Sequence, residues 1–279
     1  MVPQCYASES VKAHASITSR QNPLVARYRS IARGDVKDLL LLDGAHLVAD
    51  ALAARVRLRQ AAVAADALAR SEIRTLVARL TEADVEVVTA AALVMDALSP
   101  VKSSSAIVAI ADRPSHDDGR LYAGRAPLVV IASDVQDPGN VGAIVRVAEA
   151  GAATGVVAAG ACADPFGWKA LRGSMGSSLR LPVAVREHAD QAIAHARRHG
   201  CRIVATAPRG GRSLFEINLK MPVAVLIGGE GPGLAPALVD AADERVMIPM
   251  QAPVESLNAA VTAALIVYEA HRQRIEGRT

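Results

Sequence analysis

Aromatic residues are scarce: two Phe, one Trp and four Tyr make up 3% of the 279 residues. So few rings argue against base-stacking platforms as the main mode of any nucleic-acid contact. They also leave the core to Ala, Val, Leu and Ile, drawn from a hydrophobic fraction of 51%. Cysteine is just as sparse. Cys5, Cys162 and Cys201 are widely spaced and odd in number, which speaks against a disulfide framework and against a metal-ligand cluster. A reducing, cytoplasmic setting follows as the simple expectation. No apolar run approaches the ~20 residues that cross a bilayer. The N-terminus has no cationic stretch leading into an apolar core, so no signal peptide is predicted. An excess of one charge is lacking too: 31 Lys and Arg against 28 Asp and Glu leave a net charge of +3. That mild basicity is compatible with RNA without demanding it.

What is present is an alternation of short apolar runs and helical patterns, the signature of an α/β protein. Residues 1–15 are polar and mixed and are expected to form a flexible N-terminus. A first α/β domain is expected over 16–112. Ser19-Arg20-Gln21-Asn22-Pro23 reads as a helix entry, and Leu24–Arg33 as a helix with Arg27, Arg29 and Arg33 outward. Lys37 extends this basic surface, which is either a solvated helix face or a phosphate-contacting one. Leu39–Leu42 reads as a buried strand. Asp43-Gly44 then turns into a helix over Ala45–Arg55. Further strands are expected at Ala61–Ala64, Val85–Val88 and Ile107–Ile110, and a helix at Ser71–Thr81 with Ser71 as its cap.

Breakers and charge cluster over Asp112–Gly119, placing a linker at 113–126 and a second domain at 127–279. That domain opens with Leu128-Val129-Val130-Ile131-Ala132, a continuous apolar run typical of a parallel strand covered on both faces. Strands at Gly155–Ala159, Val183–Val185, Arg202–Thr206, Val223–Ile227 and Val246–Ile248 alternate with helices at Val141–Ala150, Lys169–Met175, Asp190–His199 and Pro236–Ala242. A last helix is expected from Ser256, as N-cap, to Arg274.

Three polar stretches sit beside apolar runs: Asp137–Gly142, Gly228–Gly233 and Ser256–Asn258. Together they suggest one site assembled from distant parts of the chain. Gly228-Gly229-Glu230-Gly231-Pro232-Gly233 follows a strand, as a dinucleotide fingerprint would, but a lone glycine pattern is weak evidence. The Glu230 carboxylate would repel a pyrophosphate and suits a cation or a hydroxyl donor, so a nucleotide-phosphate site is rejected. Arg146 stands in an apolar stretch six residues after Asn140. It is either a surface Arg with a snorkelling stem or an electrostatic clamp. The His residues are scattered, and neither a Ser-His-Asp nor a Cys-His arrangement nor a metal site can be argued.

These stretches resemble the motifs of the SpoU/TrmH family of RNA 2′-O-ribose methyltransferases, in the SPOUT superfamily. The first looks like Asn140–Arg146 with Ala148–Gly151, the second like Leu226–Leu234, and the third like Val246–Met250 with Glu255–Val261. Their order and separation make the match far more specific than any one motif. The stretch from Ser19 to Leu52 is similar to the substrate-binding domain that many members carry. The resemblance implies a trefoil-knotted parallel sheet with helices on both faces, preceded by a smaller ribosomal-protein-like α/β domain that binds RNA. It implies S-adenosylmethionine as cofactor, held near Gly228, Gly229, Met247, Ile248, Pro249 and Leu257. It makes Arg146 the catalytic arginine, completed by Asn140, Glu230, Ser256 and Asn258. It implies a homodimer with the C-terminal helix in the interface and an RNA surface including Arg20, Arg27, Arg29, Arg33 and Arg172. The implied activity is 2′-O-methylation of structured RNA, foremost 23S ribosomal RNA. A tRNA methyltransferase and a non-catalytic RNA-binding module of the same fold are the alternatives. A nicotinamide-dependent oxidoreductase is disfavoured by Glu230.

Overall fold

A computed structural model describes residues 15–276 other than Lys102 and His116. The flexible stretch expected over 1–15 therefore lies outside the described residues, except for Ala15, which opens β1 (Ala15–Ile17). The first sheet contains β1, β2 (Leu39–Asp43), β3 (Leu58–Ala64), β4 (Glu86–Ala90) and β5 (Ile107–Asp112). Its order is β1-β4-β3-β5-β2, with β1, β4 and β3 parallel and β5 antiparallel to both of its neighbours. Four helices join these strands: α1 (Pro23–Arg33), α2 (Ala45–Ala53), α3 (Ser71–Glu82) and α4 (Ala92–Leu98).

Helix α1 forms where the sequence supplies both ends. The Asn22 side chain accepts from the Leu24 N–H, Pro23 takes the first turn, and Gly34 closes the helix in the left-handed conformation with φ 80°. Val25, Tyr28 and Ile31 bury one face, which leaves Arg27, Arg29 and Arg33 outside as expected. Helix α3 differs from expectation at its start. Arg70 holds the cap position without a side-chain bond, and Ser71 is already helical.

The second sheet contains β6 (Leu128–Ser133), β7 (Gly155–Ala159), β8 (Val183–Arg186), β9 (Arg202–Thr206), β10 (Arg212–Ser213), β11 (Val223–Gly228) and β12 (Glu244–Met247). All pairs are parallel, in the order β10-β12-β9-β11-β6-β7-β8. The helices here are α5 (Asp118–Leu121), within the expected linker, then α6 (Pro138–Ala150), α7 (Trp168–Ser174), α8 (Ser177–Arg180), α9 (Ala189–Arg198), α10 (Pro236–Asp240) and α11 (Ala259–Glu276). Every residue of β6 is buried, as a parallel strand with two covered faces requires. Val129 and Ile131 face the cluster under α9, while Leu128 and Val130 join the larger core that α6 and α11 cover.

The order β12-β9-β11-β6 departs from chain order, and the loops after β9, β11 and β12 line one cavity. The far end of α11 is tied down as well. The Arg274 guanidinium donates to the carbonyls of Ala126 (2.8 Å), Leu219 (2.9 Å), Met221 (3.1 Å) and Pro127 (3.4 Å). Gln273 beside it is buried and bonds Leu219 and Ile217.

Side-chain charge joins the two sheets. Asp43 at the end of β2 is buried, accepting from Ser99 Oγ at 2.9 Å and from Arg172 Nη1 of α7 at 3.3 Å. Arg180 spans Glu149 on α6 and Asp50 on α2. Arg113 grips Asp164 with both Nη atoms and lies 4.6 Å over the Phe166 ring. Among the described residues, no helix is long and apolar enough to cross a membrane, and no group of His, Cys, Asp or Glu could hold a metal ion.

Candidate functional site

Asp137 caps α6, its Oδ1 accepting from the Asn140 N–H at 2.9 Å. Pro138 occupies the first turn, so Asn140 lies inside the helix. Its amide sits where the loop after β11 and the lead into α11 both approach. Asn140 Nδ2 donates to Glu230 Oε1 at 2.5 Å, and Asn258 Nδ2 donates to Asn140 Oδ1 at 3.0 Å. The Gln136 N–H reaches Glu230 Oε2 at 3.3 Å. The three polar stretches are thus joined by side-chain bonds spanning 90 and 118 residues of sequence.

A carboxylate only accepts, so Glu230 forces Asn140 to point its NH₂ group at it. Asn140 must then turn its oxygen to Asn258, and Asn258 in turn presents its own oxygen to α11. There Oδ1 accepts from the N–H of Ala260 (2.8 Å) and of Val261 (3.3 Å). One carboxylate fixes the sense of every amide in the row. It also corrects the expected cap: the helix starts at Ala259, and Asn258, not Ser256, caps it. All three residues from 256 to 258 precede the same apolar run, and only the tertiary bond to Asn140 selects among them. The hydrogen bond from Asn140 holds the Glu230 carboxyl below its ordinary value of 4.5.

Beside this row lies a cavity of about 410 Å³, within the range of small-molecule sites. Gly228, Gly229 and Glu230 form one wall, Ile248 and Met250 another, and Ser256, Leu257 and Asn258 a third. Met247 and Pro249, expected to contact a ligand, are not among the lining residues. Strand β12 ends at Met247, and alternate residues of this segment, Val246, Ile248 and Met250, line the cavity. Thr206 at the end of β9 and Ala207 and Pro208 after it also line the cavity. The sequence reading missed them, although a loop leaving the carboxyl end of a parallel strand is a place to look. The glycines allow close approach. A Cβ on Gly228 would stand 2.4 Å from Gly233 C and Leu234 N, and one on Gly229 would stand 2.0 Å from the Asp134 carbonyl oxygen.

Arg146 is not brought into this cavity. It is exposed, about 120° round α6 from Asn140, and among the described residues none bonds its guanidinium. The basic residues of the first sheet are mostly engaged. Arg20 donates to Leu93 O at 2.9 Å, Arg29 to Ala97 O at 3.0 Å, and Arg33 pairs with Asp35 at 2.8 Å. Arg172 is held by Asp43 as described, and Arg27 is exposed. Of the cysteines, Cys162 is partly buried and bonded to the Val135 N–H and Ala132 carbonyl, and burial raises its thiol above the usual range. Burial pushes the Cys201 thiol up to about 11. Neither is a poised nucleophile, and Cys5 lies outside the described residues.

A profile described as the SpoU rRNA Methylase family matches residues 127–268. The chain is 32% identical to an uncharacterized tRNA/rRNA methyltransferase of Synechocystis over 93% of this chain and 94% of that one. It is 30% identical to the 23S rRNA (guanosine(2553)-2′-O)-methyltransferase RlmP of Bacillus subtilis over 82% of this chain and 86% of that one. Among solved structures, the SpoU methyltransferase AviRb from Streptomyces viridochromogenes in complex with the cofactor AdoMet superposes with a TM-score of 0.83 at 28% identity. That superposition covers 91% of this chain and 99% of the other.

Proposed function

Because the chain belongs to the SpoU rRNA methylase family, and is accordingly an S-adenosylmethionine-dependent methyltransferase, we propose that it methylates a ribose 2′-hydroxyl of 23S ribosomal RNA as a homodimer. The observation that carries this reading is the row Glu230–Asn140–Asn258 at the mouth of the glycine-walled cavity. The cavity suits the cofactor. Close backbone approach at Gly228 and Gly229 leaves peptide groups facing it, Ile248 and Leu257 give apolar walls, and Ser256 and Thr262 offer hydroxyls. When bound, S-adenosylmethionine supplies an electrophilic methyl group on a sulfonium.

The chain's own task is to align the acceptor oxygen and to stabilise the charge that grows on it. Asn140, Ser256 and Asn258 present short polar groups at the mouth and orient the ribose. Glu230, an ionised acceptor, keeps the two amides in one sense. An arginine guanidinium is a fixed cation, so the base is not Arg146. We assign it the neighbouring phosphate, whose fixation lowers the cost of an alkoxide, with phosphate or water taking the proton. Since Arg146 stands outside the cavity of its own chain, a second copy supplies it. The α11 stripe Val261, Leu265 and Tyr268 supports such pairing, since these large apolar side chains are 46%, 42% and 50% exposed at helical spacing. The first sheet would then dock RNA through Arg27 and Lys37, while Arg20, Arg29, Arg33 and Arg172 exchange their present partners for phosphates.

The test is incubation of unmodified, in-vitro-transcribed 23S ribosomal RNA with the protein and S-adenosylmethionine, followed by ribose-methylation mapping. One new 2′-O-methyl position supports the reading. Methylation of tRNA alone moves the substrate. No methylation of either, with cofactor binding retained in calorimetry, leaves an RNA-binding module. Arg146→Lys keeps charge but loses the bidentate fork; a wild-type rate for that variant rejects the phosphate clamp.

A further inference from the structure

We propose that Asp134 is a positioning residue for this site, acting through its left-handed backbone and not through its carboxylate. The inference rests on the methyl-transfer reading above. Asp134 follows the last residue of β6 with φ 59°, a conformation that Asp and Asn tolerate and β-branched residues resist. Its N–H still donates to Ala159 O at 3.1 Å, so the strand ladder ends there. The turn has two consequences on opposite sides.

On one side it aims the Asp134 carbonyl at the loop after β11. A Cβ on Gly229 would lie 2.0 Å from that oxygen and 2.6 Å from its carbon, so Gly229 is seated directly on the Asp134 peptide. The chain two residues on, the Gln136 N–H, reaches Glu230 Oε2 at 3.3 Å. The backbone of segment 134–136 therefore meets the Gly229 backbone and the Glu230 carboxylate, and that hold places Glu230 where Asn140 can donate to it. On the other side, the carboxylate looks away from the cavity. Oδ1 accepts from the Ala161 N–H at 2.8 Å and Oδ2 from Ser133 Oγ at 2.9 Å, and Asp134 does not line the cavity. The two roles are separable by substitution.

Asp134→Asn keeps both the tolerated φ and an acceptor. Asp134→Gly keeps only the free φ. Asp134→Val opposes the φ. Gly229→Ala disturbs the same contact from across the interface. We expect Asp134→Asn and Asp134→Gly to retain wild-type kcat on unmodified 23S ribosomal RNA. Asp134→Val and Gly229→Ala should lose on the order of 100-fold in kcat with KM for the RNA unchanged. The side-chain amide resonance of ¹⁵N-labelled Asn140, read without cofactor or RNA, should move in Asp134→Val and Gly229→Ala and stay in place in the other two. A wild-type kcat with an unmoved amide in Asp134→Val overturns the inference. So does a loss in Asp134→Gly or Asp134→Asn as deep as that in Asp134→Val, a result that survives even if the Val variant does not fold. Should wild-type protein methylate nothing, the functional reading fails, while the Asn140 resonance still decides whether Asp134 positions Glu230.

Discussion

Gly142→Ala isolates the packing of α7 on α6. Gly142 is buried in the second turn of α6. A Cβ built there meets the Ala170 carbonyl oxygen at 2.4 Å, the Ser174 N at 2.9 Å and the Gly173 C at 3.0 Å. All three atoms are backbone, so no side-chain rotation relieves the overlap. The oxygen stands about 1 Å inside the 3.4 Å at which ordinary contact begins. Helix α7 must move by roughly that amount, and it carries Arg172 and hence the tie to Asp43. Overpacking of this kind costs up to about 3 kcal/mol. Replacing Gly by Ala in a helix interior returns about 1 kcal/mol. A net loss of about 2 kcal/mol translates to a Tm lower by roughly 4–8 °C for a chain of this size. Thermal unfolding followed by circular dichroism measures it. Gly34→Ala is the complementary control: nothing lies within 4 Å of its Cβ, but φ is +80°, so it should lose about 1 kcal/mol through backbone strain alone. A Gly142→Ala protein that melts at or above the wild-type temperature refutes the reasoning, because α7 would then be free to give way.

Asn258→Ala removes the cap of α11 and the bond to Asn140; about 1 kcal/mol of stability should go, and methylation with it. Asn258→Asp restores an acceptor for the helix but no donor for Asn140, so melting should recover while activity stays low; recovery of both would show that the row of amides is unimportant. The depressed Glu230 carboxyl means its contribution is complete above the ordinary value of 4.5 and is lost only as pH falls through the lower folded value. The Asn140 amide resonance should therefore hold steady down to about pH 5, and a titration midpoint at or above 4.5 contradicts this. Burial raises both Cys162 and Cys201, so neutral iodoacetamide should leave both unmodified in the folded protein; mass spectrometry finding either alkylated rejects their description as inert.

The interior strands were readable because burial on both faces imposes an unbroken apolar run, and β6 is the clearest case. The short edge strands β1 and β10, of three and two residues, were not. They carry no pattern of their own and exist through pairing with β4 and β12. The site was legible as three polar stretches, and two bonds at Asn140, one donated to Glu230 and one accepted from Asn258, join them. Its finer assignments were not, for reasons of geometry. Ser256 and Asn258 are both good caps in isolation, and only a partner 118 residues away favours Asn258. Met247 and Pro249 share a segment with Ile248, but its alternate residues Val246, Ile248 and Met250 are the ones that line the cavity. The tie between Arg172 and Asp43 was not legible either, because the two lie 129 residues apart.

The guanidinium of Arg274 has a consequence for how the molecule is made. Its acceptors at Ala126, Pro127, Leu219 and Met221 flank the starts of β6 and β11, the adjacent pair at the middle of the second sheet. During synthesis those two strands can meet well before residue 274 has left the ribosome, yet the latch across their ends cannot close until it has. Until then the nascent protein must hold an apolar sheet, open along the flank that α11 will cover. That interval is when it is most exposed to aggregation and most in need of a chaperone.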